Sequence, residues 1–527
     1  MEQFTDLLLS IENTSKTLSK VKYLKEYFTT ADEKDRVWAI ALFTHKRPKR
    51  QVNTRLLAEW AFEQSNIEPW LFEESYHVVG DLSETISLIL PQCDNKTSHS
   101  LTYWINHLID LQDKEELEKK SFILNAWKQL DQKQKWVFNK LITGGFRIGV
   151  SKNLIIRAIA EATDQEPTEI AHRLMGNWNP SSTSYKNLVL EESKGESLSR
   201  PYPFYLAYPL EEVPEDLGDT SEWTAEWKWD GIRSQVIVRD KQLFIWSRGE
   251  DLITEKFPEL SVLEALPDGT VIDGELVGYN ESGIMPFSVL QTRIGRKNVS
   301  KKYLKEAPAA IIAYDLLEFK GEDMRKAPFK ERRKFLRSIV KKADLNKLKL
   351  SEEVRFSSWG ELAQLRKRSR EYDAEGLMLK RNRSEYKVGR KRGDWWKWKV
   401  DPYTVDAVMI YAQKGHGRRA DIYSDYTFAV WDDDQLVPFA KAYSGLTDKE
   451  MLEVTRFVKS NTLERFGPVR TVTPTLVFEI HFEGIAPSSR HKSGVAVRFP
   501  RIHRWRKDKK PEEANNLQDI KALLKHP

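Results

Sequence analysis

Lys228, followed at short fixed offsets by Asp230, Gly231 and Arg233, is the most informative arrangement of reactive side chains in the sequence. The run from Trp223 to Trp229 alternates well enough to predict a β-strand, with Glu226 and Lys228 on one face and Trp227 and Trp229 on the other. A lysine at the mouth of a pocket becomes a covalent nucleophile where neighbouring cations or desolvation lower its pKa. Asp230-Gly231 supplies a tight turn, and Arg233 returns a fixed positive charge beside the lysine. Taken alone, so short a pattern is equally well read as an amphipathic strand with charges at the surface.

Further segments follow in a fixed order. They are Ser247-Arg248-Gly249, Asp273-Gly274-Glu275, Tyr314-Asp315-Leu316-Leu317, the run from Glu375 to Lys380, Trp396-Lys397-Trp398-Lys399, and the run from Arg504 to Lys509. With Lys228 they span about 280 residues and resemble the nucleotidyltransferase motifs of ATP-dependent DNA ligases. The resemblance runs from about residue 101 to the C-terminus and is strongest over 223–401 and 485–514. It implies an ATP-consuming enzyme that seals nicks in duplex DNA by three transfers. Lysine takes AMP from ATP, AMP passes to the 5′-phosphate of the nick, and the 3′-hydroxyl displaces it. Lys228 is then the nucleophile, Glu226 reads the adenine amino group, Tyr314 stacks on adenine and Arg248 holds AMP or the nick phosphate. Glu275 contacts the ribose and also reaches metal, while Glu375 is the metal-side carboxylate. Arg233, Lys397 and Lys399 belong to the AMP site, and Arg504, Arg506 and Lys509 orient the β- and γ-phosphates. ATP and Mg²⁺ (or Mn²⁺) are the implied substrate and cofactor, and nicked double-stranded DNA the implied partner.

The residues support these roles in different degrees. Lys397 and Lys399 alternate with Trp396, Trp398 and Val400, which puts both ammonium groups on one strand face. Two point charges aimed at an α-phosphate stabilise its charge as bonds change; the same pattern also suits a solvated face. Glu275 and Glu375 are hard oxygen donors of the kind Mg²⁺ takes. Asp273 reads either as a second functional acid or as a buried hydrogen-bond acceptor, and Tyr314 also reads as a core tyrosine. The spacing Arg504-x-Arg506-x-Asp508-Lys509 after a predicted strand favours a specific phosphate role over a general basic face. Residues that orient departing phosphates must withdraw afterwards, which implies rotation of 402–527 between steps.

A length of 527 residues predicts roughly three or four domains. Forty per cent hydrophobic residues, with 17 Trp, 18 Tyr and 23 Phe, suffices for sizeable cores and argues against disorder. A single cysteine, Cys93, excludes a disulfide framework and the four-cysteine zinc module typical of NAD-dependent ligases. The sequence has neither an apolar run long enough to span a membrane nor a signal-peptide pattern, so the expectation is a soluble intracellular protein without membrane association; a monomer is expected. Its expected place is cytoplasmic and nucleoid-associated in a prokaryote, which the lack of long tails favours, and otherwise nuclear. Residues 1–200 hold 26 Lys+Arg against 28 Asp+Glu, and the remainder 58 against 50, so the basic excess lies with the motifs.

The predicted organisation is multidomain: an all-α domain with linker over 1–200, an α+β adenylation domain over 201–401, and a β-barrel OB-fold of about five strands over 402–527. Helical spacing of Ile123, Trp127, Leu130, Val137 and Leu141 ends at Gly144-Gly145, and Ser151 caps a helix beginning near Leu154. Residues 235–238 and 243–246 flank Asp240-Lys241 as a hairpin, and 329–342 and 360–371 read as helices. Phe146-Arg147-Ile148-Gly149-Val150-Ser151 resembles the DNA-binding loop of three-domain ligases, with Arg147, Gly149 and Ser151 as the candidate contacts. RNA ligases and RNA-capping enzymes share the lysine domain, but the helical leader with its Arg147 loop favours a DNA ligase. A non-catalytic nick-binding scaffold would not need Lys228, Glu375, Lys397 and Lys399 together.

Overall fold

Alternation of bulky apolar and polar side chains after residue 220 builds strands. Their two-sided burial makes two sheets that share a core. In the computed structural model, which describes residues 1–93, 98–146, 149–175, 178–191, 198–211, 213–294, 296, 299–415 and 421–524, β1 (Trp223–Trp229) turns into β2 (Ile232–Arg239) and β3 (Gln242–Ser247). Asp240 and Lys241 take φ of 50° and 55°, the two-residue turn that matches strand twist, so the predicted hairpin forms at the predicted place. The strands β4 (Thr270–Asn280), β5 (Ala309–Phe319), β6 (Ala374–Arg381) and β7 (Trp395–Lys399) complete the two sheets.

The seven-stranded sheet runs Leu348–Leu350, β5, β4, β2, β3, with two short strands added at its margins. The five-stranded sheet runs Glu353–Val354, β1, β6, β7, Tyr208–Pro209. Val236, Ile272, Ile311 and Leu316 cover the outer face of the first sheet together with Leu336 of the helix Phe329–Ala343. Trp223, Trp227, Leu377 and Trp396 cover the outer face of the second. Between them lie Ile237, Trp246, Val271, Leu317, Phe329 and Trp395. Each of these side chains contributes about 1.5–3 kcal/mol on burial, so the inner layer is a rigid floor for whatever sits at its end.

The C-terminal segment adds β8 (Tyr403–Lys414), β9 (Tyr423–Asp432), β10 (Gln435–Ala442), β11 (Val477–Phe482) and β12 (Arg501–Trp505). β8 pairs with β9 along one edge, and on the other with β11 through its first half and Val469–Val472 through its second. One strand shared among three neighbours must bend, and the sheet curls into a half-barrel around Phe428, Phe478, Ile480 and Ile502. Among the described residues it holds seven strands against the five expected; the additions include the hairpin Thr462–Phe466 with Val469–Val472. The helix Asp448–Ser460 is an addition to the expected strands, and its signal in the sequence is the reciprocal cap of Thr447 and Glu450.

The described residues of 1–175 form helices joined by short connections, as expected. Gly144 ends the helix Gln132–Thr143 at φ 75°, and Ser151 caps Lys152–Thr163 by accepting from Leu154 N–H at 3.4 Å. The run from Ile123 to Leu141 is two helices, because Asp131 caps the second by accepting from Gln134 N–H at 2.8 Å. Contacts group the chain into two units, 1–12 with 47–148 and 401–527, and 13–46 with 149–400, so the helical leader contributes to both. No helix of the described residues is long and apolar enough to cross a membrane.

His172, in the helix Pro167–Arg173, ties that helix to the sheet region. It stacks on Tyr202 at 5.2 Å, and its Nε2 is buried without a hydrogen-bond partner. Burial, and then Arg200, Arg325 and Arg239, lower its pKa from 6.5 to about 4. The folded state therefore resists protonation that the unfolded chain accepts, and stability present above pH 6.5 is lost as pH falls towards 4. Between pH 7.5 and 5.5 this group is expected to remove about 1.3 kcal/mol. Urea titrations of the wild type and His172→Phe at both pH values measure it; an equal loss in the two proteins would refute the assignment.

Candidate active site

Two β-bulges build the site. Along β6, Ala374 faces Trp229 and Leu377 faces Trp227, so Glu375 and Gly376 together oppose Lys228. Ala374 and Leu377 both point into the outer apolar layer. The extra residue therefore turns Glu375 onto the face of Lys228, which strict alternation would deny it. Gly376 makes this possible: its φ is 143°, and a Cβ there would stand 2.3 Å from the Trp398 carbonyl oxygen. On β5 the register passes from Gly274–Ala313 to Asp273–Asp315, leaving Tyr314 as the extra residue. Ala313 and Leu316 both pack outward, so Tyr314 and Asp315 both turn inward. Gly376→Ala is expected to cost about 2 kcal/mol or more and to displace Glu375. Thermal melts and covalent labelling by ATP report the two effects separately.

Lys228 Nζ donates to Glu375 Oε2 at 2.6 Å, and Lys399 Nζ lies 3.3 Å from the same oxygen. β6 places Met378 between Glu226 on β1 and Lys397 on β7, so Lys228, Lys397 and Lys399 share one face, as the alternation predicts. Lys397 has its pKa lowered by burial first, then by Arg390, Lys399, Lys228 and Arg248, which describes a cluster of cations short of counter-charge. Arg248 is exposed on the turn after β3, its N–H bonded to the Arg233 carbonyl at 2.8 Å. Glu275 sits opposite Arg233 in register. Burial above all raises its pKa to about 7, with Lys228 and Arg233 opposing the rise and Asp273 and Glu375 adding to it. Such a face suits a polyanion carrying a divalent cation: ammonium groups for phosphate oxygens, and two hard carboxylates, of which Glu275 has its pKa raised by burial.

The sequence profile described as "ATP dependent DNA ligase domain" matches residues 204–399. "DNA ligase N terminus" matches 1–160 and "ATP dependent DNA ligase C terminal region" 419–509. A probable DNA ligase of Koribacter versatilis is 36% identical over 410 residues, covering 73% of this chain and 71% of that protein. The chain belongs to the ATP-dependent DNA ligase family. A DNA ligase of Thermococcus onnurineus is 28% identical over 551 residues, 99% of this chain and 97% of that one. The solved structure titled "Pmar-Lig_PreS3" superposes with a TM-score of 0.62 over 95% of this chain and 99% of that chain at 17% identity, a likeness of fold.

The remaining ligase motif residues are distributed as follows. Glu226 is 1% exposed, with its carboxylate between Arg333 Nη1 and Lys380 Nζ, each at 2.6 Å, so both oxygens are engaged by cations. Tyr314 lies beside two cations, Lys380 at 4.4 Å and Arg233 at 5.8 Å from its ring centre. Arg233 is held in a fork by Asp273, at 3.2 and 2.7 Å, and Tyr386 donates to the same carboxylate at 2.7 Å. Of the two readings of Asp273, the buried acceptor is therefore the observed one. Asp315 makes a fully buried fork with Arg332 at 2.7 and 2.8 Å. Lys380 lies inside the motif from Glu375 to Lys380, whose pattern implies no role for it, and Arg333 and Arg390 carry no local signal in the sequence.

In the C-terminal segment, Arg504 pairs with Glu479 at 2.8 Å. Arg506 pairs with Asp406 at 3.0 Å and with Asp508 at 2.7 Å, and Lys509 with Asp406 at 2.6 Å. The Arg506–Lys509 pair is thus organised around one acid, Asp406, absent from the motif reading. In the loop before Lys152, Arg147 and Ile148 lie outside the described residues. Gly149 has φ 66° and its carbonyl accepts from Lys20 Nζ at 3.1 Å, and Lys152 pairs with Glu250 beside the Arg248 turn.

Proposed function

We propose that this ligase seals nicks in duplex DNA through a lysyl-AMP intermediate on Lys228, using ATP and Mg²⁺ (or Mn²⁺). The observation that carries the reading is Lys228 held at 2.6 Å by Glu375 on a face shared with Lys397 and Lys399. In the first step Lys228 Nζ bonds to the α-phosphorus, the bond to the bridging oxygen breaks, and pyrophosphate leaves. Glu375, as the acceptor of the Lys228 N–H, fixes the amine on the strand face and offers an oxygen to its departing proton. In the second step the 5′-phosphate of the nick displaces Lys228 from AMP; in the third the 3′-hydroxyl displaces AMP and closes the phosphodiester.

Lys397 and Lys399 act on the α-phosphate throughout, where fixed charge stabilises the transition state more than the ground state. Glu375 and Glu275 would hold the divalent ion, which when bound offsets phosphate charge. Arg233, Arg248 and Tyr314 would frame AMP. Glu226, engaged by Arg333 and Lys380, would reach adenine only by giving up part of that pairing. Gly149, Ser151 and the start of the helix Lys152–Thr163 would approach DNA phosphates. The protein would act as a monomer where the genome lies, in the cytoplasm of a prokaryote or otherwise in a nucleus.

Sealing of a nicked duplex, compared with ATP, NAD and GTP as the sole nucleotide, tests the reading. ATP alone is expected to support closure; sealing with NAD at the ATP rate would overturn it.

A further inference from the structure

The basic motif of the C-terminal segment adjoins a cluster, paired through Glu479 with Arg504, to whose two histidines the nucleotide-transfer reading gives no role. Glu479 and His481 alternate onto one face of β11. His503 joins them because of a third bulge: Glu479 faces Arg504 and Ile480 faces Ile502, which leaves His503 as the extra residue of β12. Ile502 and Trp505 pack against the barrel core, so His503 and Arg504 both turn outward. His481 Nε2 lies 3.1 Å and His503 Nε2 3.7 Å from the same oxygen, Glu479 Oε1. The two imidazole rings are stacked at 4.0 Å and 9°, and the three donor atoms lie within 4.8 Å of one another.

We infer that Glu479, His481 and His503 form a binding site for a late first-row divalent ion, of which Zn²⁺ is the representative. Two imidazole nitrogens and one carboxylate oxygen are a donor set for Zn²⁺ and its neighbours, and a poor one for Mg²⁺. The donor atoms start close together, and closing them onto one ion requires the exposed His503 ring to turn out of the stack, because parallel rings hold their Nε2 lone pairs in parallel planes. The carboxylate is held from behind: Glu479 Oε2 accepts from Arg504 at 2.8 Å, which fixes the direction of Oε1 as outer-sphere hydrogen bonds do at metal sites. His503 is half-exposed and gives the ion a way in from solvent, with positions left for water.

The test uses the full-length chain, stripped with a chelator and titrated with Zn²⁺ by calorimetry and with Co²⁺ by visible absorption. The wild type is expected to take one Zn²⁺ and to give the intense d–d bands of low-coordinate Co²⁺, neither displaced by excess Mg²⁺. Loss of an outer-sphere partner costs 10–100-fold in affinity, so His481→Ala and His503→Ala are each expected to weaken Zn²⁺ binding by about a hundredfold or more. Zn²⁺ should also raise the melting temperature of the wild type and not that of the double variant. His503→Gln, at an exposed position, guards against misfolding: an unchanged melt with binding lost supports the site. Equal affinity and stoichiometry in the wild type and a folded double variant, or no binding by a folded wild type, would overturn it.

Discussion

Lys228→Ala is expected to abolish both the covalent AMP adduct and the sealing of nicks, by a factor of about 10⁴ or more, since Lys397 and Lys399, the other amines on that face, are assigned to the phosphate oxygens and not to the phosphorus. The fold should survive. Lys228 is half-buried and its described hydrogen bond is the one to Glu375, so the variant leaves a carboxylate with Lys399 still 3.3 Å away. Lys228→Arg sharpens the test: a guanidinium can still pair with Glu375 but cannot form the phosphoramidate, so its loss of labelling should be as complete. Labelled ATP, acid lability of the adduct and thermal melts are the measurements. A normal yield of adduct on either variant would remove Lys228 from the mechanism. Loss of labelling together with a collapsed melt would be read from Lys228→Arg instead.

Period-two alternation made much of this site legible. It put Glu226 with Lys228 and Lys397 with Lys399 on single faces, and the β6 register joins those faces. The Asp240-Lys241 turn, the Gly144 stop and the Ser151 cap were legible because each is decided within a few residues. The bulges were not. Alternation alone groups Glu375 with Leu377; the inserted residue at Gly376 reverses that, and its local trace in the sequence is a glycine beside an acid. Tyr314 and His503 owe their directions to the same device. Pairings between distant segments were equally hidden. Glu226 with Arg333 and Lys380, Arg233 with Asp273 and Tyr386, and Arg506 with Asp406 depend on which strands become neighbours, and composition does not say. The same limit explains the C-terminal strand count: the hairpin Thr462–Phe466 with Val469–Val472 is exposed along its first strand and partly buried along its second, and it exists because β8 offers it an edge.

Arg506→Ala and Lys509→Ala are expected to slow AMP transfer from ATP to Lys228 by about a hundredfold or more each, the usual cost of removing one fixed donor from a developing charge. Their proposed partners, the β- and γ-phosphates, leave with pyrophosphate, so closure of a pre-adenylated nick by the same variants should stay near the wild-type rate. Asp406 binds both cations, at 3.0 and 2.6 Å, and holds them at a fixed spacing. Asp406→Asn should therefore slow the first step too, through misplacement rather than loss of charge, and leave the last step intact. Lys397→Ala, whose proposed partner is the α-phosphate retained through every step, should impair both reactions. Single-turnover closure of pre-adenylated nicks, set against the rate of self-adenylation for each variant, separates the two patterns. Equal losses in both reactions for Arg506→Ala would contradict the step-specific role. The stretch from Arg504 to Lys509 would then be a general basic face for DNA, and rotation of 402–527 between steps would lose its physical motive.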